Sequence, residues 1–251
     1  MVFLRSFAVY FSTLFFMIVY WLILALPVFL ILCLPKLRRQ HLLRWLLLGF
    51  GRITIYAAWR PFFRVKYRDL SGGCSQPGVI IVNHRAATDG FLVASMGLNV
   101  AQTVNGWPMR TPVLGWMARL AGYLNITGWD YETLKSRARK VIESGDMIVS
   151  FPEGTRSESK RMNPFHSGIF HVAKDLELPV YMLCIAGNEY MPDRKFRFRE
   201  FRDLAIRLLE PVSKEEVCQC ASAYVLKIKI FRRMEKELAE MDKELDHEKA
   251  I

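Results

Sequence analysis

Apolar and polar positions divide this chain into three stretches. From Phe7 to Leu34 no residue is charged, and most positions are Phe, Leu, Ile, Val, Tyr or Trp. About 20 such residues span a hydrocarbon core as a helix. A run that is apolar on all sides is not the half-buried helix of a soluble core. It also has neither the short apolar core nor the small-residue cleavage site of a signal peptide. Pro27, inside the run, predicts a kink or a break. Two geometries are open: one tilted span, or a helical hairpin bent near Pro27 that dips into one leaflet and returns.

The second stretch, residues 35 to 68, holds nine Lys or Arg and no acid, interleaved with Trp45, Phe50, Tyr56, Trp59, Phe62, Phe63 and Tyr67. Basic residues alternating with aromatic ones suit a lipid headgroup interface, with Arg snorkelling and Trp or Tyr at the boundary. The same composition would bind single-stranded nucleic acid by charge and stacking. Directly behind a membrane anchor it reads as interfacial, and no nucleic-acid partner is expected. Lys36, Arg38 and Arg39 after the apolar run outweigh Arg5 before it, which places the remainder of the chain in the cytoplasm. Residues 1–68 therefore read as a membrane anchor with basic-aromatic interfacial helices, and residues 69–251 as a cytosolic domain.

In the third stretch the period alternates. Ser71-Gly72-Gly73 and Pro77-Gly78 form a loop, and Val79 to Val82 is a β-branched run typical of a buried strand. A helix is predicted from Asp89 to Met96, a strand at Val100 to Val104, and a helix opened by Pro112 and running to Ala121. Asp130 is the expected N-cap of a charged helix to Ser144, ended by Gly145. Further strands are predicted at Met147 to Phe151, Pro179 to Ala186 and Ala205 to Leu209, then an amphipathic helix from Ser213 to His247. Strands alternating with helices predict an α/β domain with a mainly parallel sheet flanked by helices. Ligands of such sheets collect at the carboxyl ends of the strands.

Composition sharpens this picture. The 251 residues carry 35 Lys and Arg against 24 Asp and Glu, a net charge of +11. Mean hydropathy is nevertheless positive, +0.13, so basic and apolar residues lie in separate blocks, as suits a protein on an anionic membrane surface. Five cysteines, an odd number without paired spacing, argue against a disulfide framework or a zinc site and for a reducing compartment. No metal is expected.

Two loops come directly after predicted strands and carry reactive side chains. The first reads Asn83-His84-Arg85-Ala86-Ala87-Thr88-Asp89-Gly90. His and Asp five apart do not share a helix face, but across a strand end and a helix start Asp89 can turn back to the imidazole. It would then fix the tautomer and leave the second ring nitrogen free as a base. Spacing alone also allows a surface histidine beside a capping aspartate. The second loop reads Phe151-Pro152-Glu153-Gly154-Thr155-Arg156-Ser157. Its glycine lets backbone N–H groups approach an anion, and its arginine offers a planar fork for phosphate or carboxylate. Glu153 would hold that arginine or bind a substrate hydroxyl. A plain solvated turn has the same residue types.

Together the two loops resemble the 1-acylglycerol-3-phosphate (lysophosphatidate) acyltransferase family. Its N-H-x-x-x-x-D block is matched by Asn83, His84 and Asp89, and its F-P-E-G-T-R-S block at every position from Phe151 to Ser157. Phe165, Gly168 and Leu178-Pro179-Val180 have the spacing that leads to a further block, and Pro112, Gly115 and Gly122 that of another. The resemblance covers about residues 78 to 187. It implies transfer of an acyl group from acyl-ACP or acyl-CoA to a lipid hydroxyl, with no cofactor beyond that donor. His84 would be the general base and Asp89 its orienting partner, with Asn83, Glu153, Gly154, Thr155 and Arg156 on the acceptor. Arg156 is the candidate for the acceptor phosphate, and no acyl-enzyme is needed. The implied partners are membrane lipids and an acyl carrier protein or coenzyme A thioester. The implied location is the cytoplasmic face of the inner membrane. Val113, Trp116 and Met117 are candidates for an acyl tunnel, or plain core.

The chain departs from the family pattern where Ala86 replaces Ser or Asn, and where Asn105 and Gly128 stand at positions that carry cations. Arg85, Arg110 or Arg119 would have to compensate, or the acceptor carries no phosphomonoester. The resemblance therefore leaves two acceptors open: lysophosphatidate, or another lipid or specialised amphiphile. A non-catalytic membrane-anchored binding protein is the third reading, disfavoured by the retention of His84, Asp89, Glu153 and Arg156. Arg194, Lys195, Arg197, Arg199 and Arg202 form a candidate patch for an acidic carrier or lipid headgroups.

Overall fold

The structure, a computed structural model, describes residues 1–106, 108–110, 114–193 and 195–250. The strands are β1 Val65–Asp69, β2 Val79–Val82, β3 Val100–Val104, β4 Leu124–Asn125, β5 Met147–Ser150, β6 Val180–Ala186 and β7 Leu204–Val212. They form one sheet in the order β1-β7-β6-β2-β5-β3-β4. Every pairing is parallel except β6 with β7. The sheet is thus mixed and mainly parallel, as the alternation of periods implies.

Short apolar strands suffice at the centre because both faces are covered. All four residues of β2 are buried, as are those of β5 and all seven of β6. Val79 and Ile81 pack on one face, with α6 (Tyr131–Glu143), α7 (Gly168–Asp175) and α9 (Ala223–Ala250). Ile80 and Val82 pack on the other. That second face is covered by α1 (Val2–Ile23), α3 (Lys36–Ile53), a π turn at Thr54–Ala58, and α4 (Asp89–Leu92) with its 3-10 continuation Val93–Met96.

The Asp130 side chain accepts from Thr133 N at 2.8 Å and caps α6, as its sequence predicts. The predicted C-terminal helix is two, α8 (Lys214–Gln219) and α9, parted at Cys220. Ser213 and Glu216 form a capping box that starts α8 independently. The helix expected from Pro112 is α5, Leu114–Leu120; Pro112 itself lies outside the described residues. Three elements have no clear period in the sequence: β1, β4 and α7. β1 reads VKYRD and is only partly covered, so its charged positions hide it. Its backbone nonetheless pairs along β7 from Val65 to Asp69.

The apolar run is interrupted at Leu24, three residues before Pro27, and resumes as α2 (Ala25–Leu32). Pro27 lacks the N–H that would bond Ile23, so the break falls where the ladder is open, and proline is then tolerated in the first turn of α2. Down its length α1 is bonded to the rest of the molecule by one face. Arg5 donates to Arg199 O at 2.8 Å, the Ser6 hydroxyl accepts from Phe198 N at 2.9 Å, and Tyr10 donates to Phe196 O at 2.8 Å. Further along, Ser12 donates to Ala58 O, Trp59 to Thr13 Oγ1, and Tyr20 to Leu46 O. α1 and α3 consequently run antiparallel with α2 at their turn. The opposite face of α1 exposes Phe3, Phe7, Phe11, Leu14, Phe15, Ile18 and Leu22. Among the described residues it is one helix long and apolar enough to cross a bilayer.

Candidate active site

β6, β2 and β5 are neighbours in the sheet, and the loops leaving their carboxyl ends meet. The β2 loop brings His84 and Asp89 together: Nδ1 of the imidazole lies 2.8 Å from Asp89 Oδ2. That same oxygen accepts from Ala86 N at 2.9 Å, and Oδ1 accepts from the Asn188 amide beyond β6. Asp89 is fully buried and its acceptor positions are met from three directions. An Nδ1–H donated to Asp89 leaves Nε2 as the acceptor nitrogen. Among the described residues Nε2 has no partner, and the ring lines a cavity while packing on Phe151 at 4.8 Å between centroids.

Glu153, in the β5 loop, is buried and turned inward. Oε1 accepts from His84 N at 2.7 Å and Oε2 from Asn163 N at 2.7 Å. The carboxylate therefore ties the β5 loop to the backbone of the His84 loop and binds neither Arg156 nor solvent. Burial pushes its carboxyl up to about 7, against the pull of these two N–H donors and of the His84 imidazole. A second tie runs from Ser157 N to His84 O at 2.8 Å. Asn83 is fully buried; its amide donates to Ile185 O at 2.9 Å and accepts from Ile185 N at 2.8 Å. It pins the β2 loop to β6 and does not face the cavity.

Gly154 has φ +70°, the left-handed region that favours glycine, and a Cβ there would come within 3.1 Å of the His166 ring, which would have to shift. Gly154, Thr155 and Arg156 line the cavity beside His84. The Arg156 guanidinium has its Nε 4.0 Å from a Glu158 carboxylate oxygen and lies 5.6 Å from the Phe196 ring centroid. Its NH1 is buried with no hydrogen-bond partner. A buried guanidinium nitrogen left unbonded is costly unless something else satisfies it.

The cavity has a volume of about 640 Å³. From the polar end at His84 and Arg156 it runs between α3 and α4 past Leu47, Leu48, Phe91 and Ala94 to Met117 and Ile126. Of the expected tunnel residues Met117 lines it; Trp116 is half exposed elsewhere, and Val113 lies outside the described residues. The wall formed by α3 comes from residues that read in the sequence only as interfacial.

Two of the arginines considered as substitutes for missing cations, Arg85 and Arg119, have other work. Arg85 is buried, donating twice to Asp242 of α9 at 2.7 Å and once to Lys160 O. Arg119 bonds Met109 O. Asn105 donates to Gly154 O at 3.1 Å, and Gly128 N to Asn125 Oδ1 at 3.2 Å. In the basic segment after β6, Arg197 and Arg199 both bond Asp193, whose carboxyl is held far below its usual range, and Arg202 bonds Glu189. Arg194 lies outside the described residues. Asn188 is the contributor that sequence reasoning missed, and Arg85 is one whose role it misread. Asn188 sits about a hundred residues from Asp89, and no local spacing signals it.

Residues 64–186 match the family model described as Acyltransferase. That segment holds β1 to β6 and both loops. This chain carries an acyltransferase-family domain. A chloroplastic 1-acyl-sn-glycerol-3-phosphate acyltransferase of Brassica napus is 25% identical to it over 170 residues, 65% of this chain and 48% of the relative. The 1-acyl-sn-glycerol-3-phosphate acyltransferase of Limnanthes douglasii is 29% identical over 148 residues, 55% of this chain and 51% of its own. The chain thus spans about half the length of these curated relatives. Its fold is that of the crystal structure of the 1-acyl-sn-glycerophosphate acyltransferase from Thermotoga maritima, with a TM-score of 0.75 over 96% of this chain and 95% of that one, at 17% identity.

Proposed function

We propose that this acyltransferase-family protein moves a fatty acyl group from an acyl carrier protein or coenzyme A thioester to the hydroxyl of a lysophospholipid, 1-acyl-sn-glycerol-3-phosphate being the acceptor that fits best. The observation that carries the reading is that an Asp89-held imidazole and Arg156, which keeps one nitrogen unbonded, line the same cavity.

His84 Nε2 takes the proton of the acceptor hydroxyl as that oxygen attacks the thioester carbonyl. The tetrahedral intermediate collapses by breaking the carbon–sulfur bond, and the imidazolium returns the proton to the departing thiolate. Asp89 holds the ring and balances the charge that develops on it. Arg156 receives the acceptor phosphate, a charge-assisted pair worth roughly 1.5–3 kcal/mol. Acyl carbons lie along the apolar length of the cavity, at ~0.8 kcal/mol per buried methylene. The exposed apolar face of α1 sits in the acyl region of one leaflet with α2, so the site opens where lipid substrates reside. The cytoplasmic face of the inner membrane fits the basic residues of α3.

A second reading keeps the chemistry and changes the acceptor. Asn105 and Gly128, which stand where the resemblance expects cations, are engaged in turns. An acceptor without a phosphomonoester needs fewer positive groups. The deciding assay offers lysophosphatidate beside neutral and zwitterionic lysolipids to detergent-purified protein, with acyl carrier protein and coenzyme A thioesters in turn. Preferred transfer to lysophosphatidate supports the first reading and transfer only to another lipid the second. No transfer by folded protein to any acceptor contradicts both.

A further inference from the structure

A second concavity, of about 560 Å³, opens between α3 and α6 on the other side of Arg44 from the His84 cavity. Lys36, Gln40 and Arg44 line it from α3, and Ser136, Arg137 and Lys140 from α6. Arg44, on its floor, is buried and neutralised by Asp146 at 2.5 Å, with its Nε donating to Ala121 O. The other three cations have no acidic partner among the described residues, and Arg137 instead stacks on Trp129 at 4.1 Å. Glu132 is the one acid in the lining, and it is engaged by Lys135 at 2.9 Å. Three uncompensated cations in a concave site, with amide and hydroxyl donors between them, are complementary to an oxyanion.

The rim indicates what carries that anion. α3 begins at Lys36, immediately after the apolar α1–α2 segment, and Leu30, Leu34 and Leu37 are exposed there. The cations therefore lie at the level where an apolar surface gives way to a polar one. A free phosphate would use the cations alone; an amphiphile uses both parts. We propose that this pocket binds the phosphate of an anionic phospholipid headgroup, whose chains lie along the exposed leucines. Such a site fixes the rotation of the protein on the bilayer and keeps the wall of the acyl cavity formed by α3 at the interface. It is independent of which acyl acceptor the enzyme uses.

The test compares flotation of the full-length protein with vesicles of phosphatidylcholine, with and without phosphatidylglycerol. Lys36→Ala/Lys140→Ala, which removes two exposed cations, is expected to lower binding to the phosphatidylglycerol vesicles by about 30-fold, at ~1 kcal/mol per cation near the surface. Arg232→Ala/Lys243→Ala, an equal loss of charge on α9, is expected to leave binding nearly unchanged, and acyl transfer in detergent micelles is unaffected by either. Equal losses from both double variants would overturn the proposal, since general attraction of a +11 chain would then explain the binding. Insensitivity of the pocket variant would overturn it as well. A competition arm separates the sources of phosphate. Soluble dihexanoyl phosphatidylglycerol should displace the vesicles where inorganic phosphate at equal concentration does not; equal displacement would mean a free-anion site and contradict the lipid assignment.

Discussion

The loops after β2 and β5 leave the carboxyl ends of adjacent parallel strands at the centre of the sheet, yet the polar groups they bring to the cavity are treated in opposite ways. In the β2 loop the groups around the imidazole are bonded: Asp89 by His84, Ala86 and Asn188, Asn83 by both backbone groups of Ile185, and His84 N by Glu153, while Arg85, which does not line the cavity and is turned to Asp242, leaves only its Nε unbonded. In the β5 loop Glu153 is equally satisfied, but three residues on Arg156 keeps a buried nitrogen without a partner. The difference fits the two tasks proposed for these loops. A base must hold one orientation with one nitrogen free, which needs a rigid surround. A phosphate receptor must keep bonding capacity in reserve until its ligand arrives. Rigidity and reserve are thus placed a few ångströms of sheet apart, with Glu153 joining them.

Removing the proposed base should give the largest effect. His84→Ala is expected to lower acyl transfer by about 10²–10⁴ with the melting temperature nearly unchanged. Retention of near-normal activity would mean the dyad is structural. Next comes the tie between the loops. Glu153→Ala leaves the His84 and Asn163 N–H groups without acceptors, at a cost of about 1–3 kcal/mol each, read as a lowered midpoint in urea unfolding. An unchanged midpoint would show that water replaces the carboxylate and that the loops are not joined through it.

The pH dependence of stability sharpens the same point. Because the Glu153 carboxyl is raised from 4.5 to about 7, the folded state holds its proton where the unfolded chain has lost it. Its contribution is therefore fully present below about pH 4.5, declines as pH rises from there to about 7, and is then constant. The total is on the order of 3 kcal/mol. Glu153→Gln should flatten that part of the profile; an identical slope in the variant would assign it to another group. The smallest effect is expected from Asn188→Ala. This change frees one Asp89 oxygen, and it should reduce kcat by about tenfold with KM for the acceptor unmoved, at roughly 1.5 kcal/mol for a bond to a charged group. A change confined to KM would move Asn188 from positioning the dyad to binding substrate.

Much of the fold and site is legible in the sequence, and the misses share a cause. The buried strands and α6 follow from short apolar runs and a capping aspartate, and the two loops from their motif residues. Residue type alone, however, does not say which way a polar side chain points. Asn83 and Glu153 read as acceptor contacts and turn inward to satisfy backbone groups. Arg85 reads as a spare cation and is spent on Asp242. In the apolar run, Ser6, Tyr10, Ser12, Thr13 and Tyr20 look incidental, but they are the face that bonds α1 to the domain. Long-range partners such as Asn188, and strands such as β1 that are stabilised by a neighbour's backbone, leave no local period to read.

The measurement that bears most directly on the division of labour between the loops is acceptor discrimination by Arg156→Ala. The ratio of kcat/KM for lysophosphatidate to that for lysophosphatidylcholine would be determined in wild-type and variant protein with the same thioester donor. The account predicts that the variant loses about 10- to 150-fold in this ratio, the equivalent of roughly 1.5–3 kcal/mol, chiefly through KM for lysophosphatidate. An unchanged ratio in a folded, active variant would contradict the assignment of Arg156 to the acceptor phosphate.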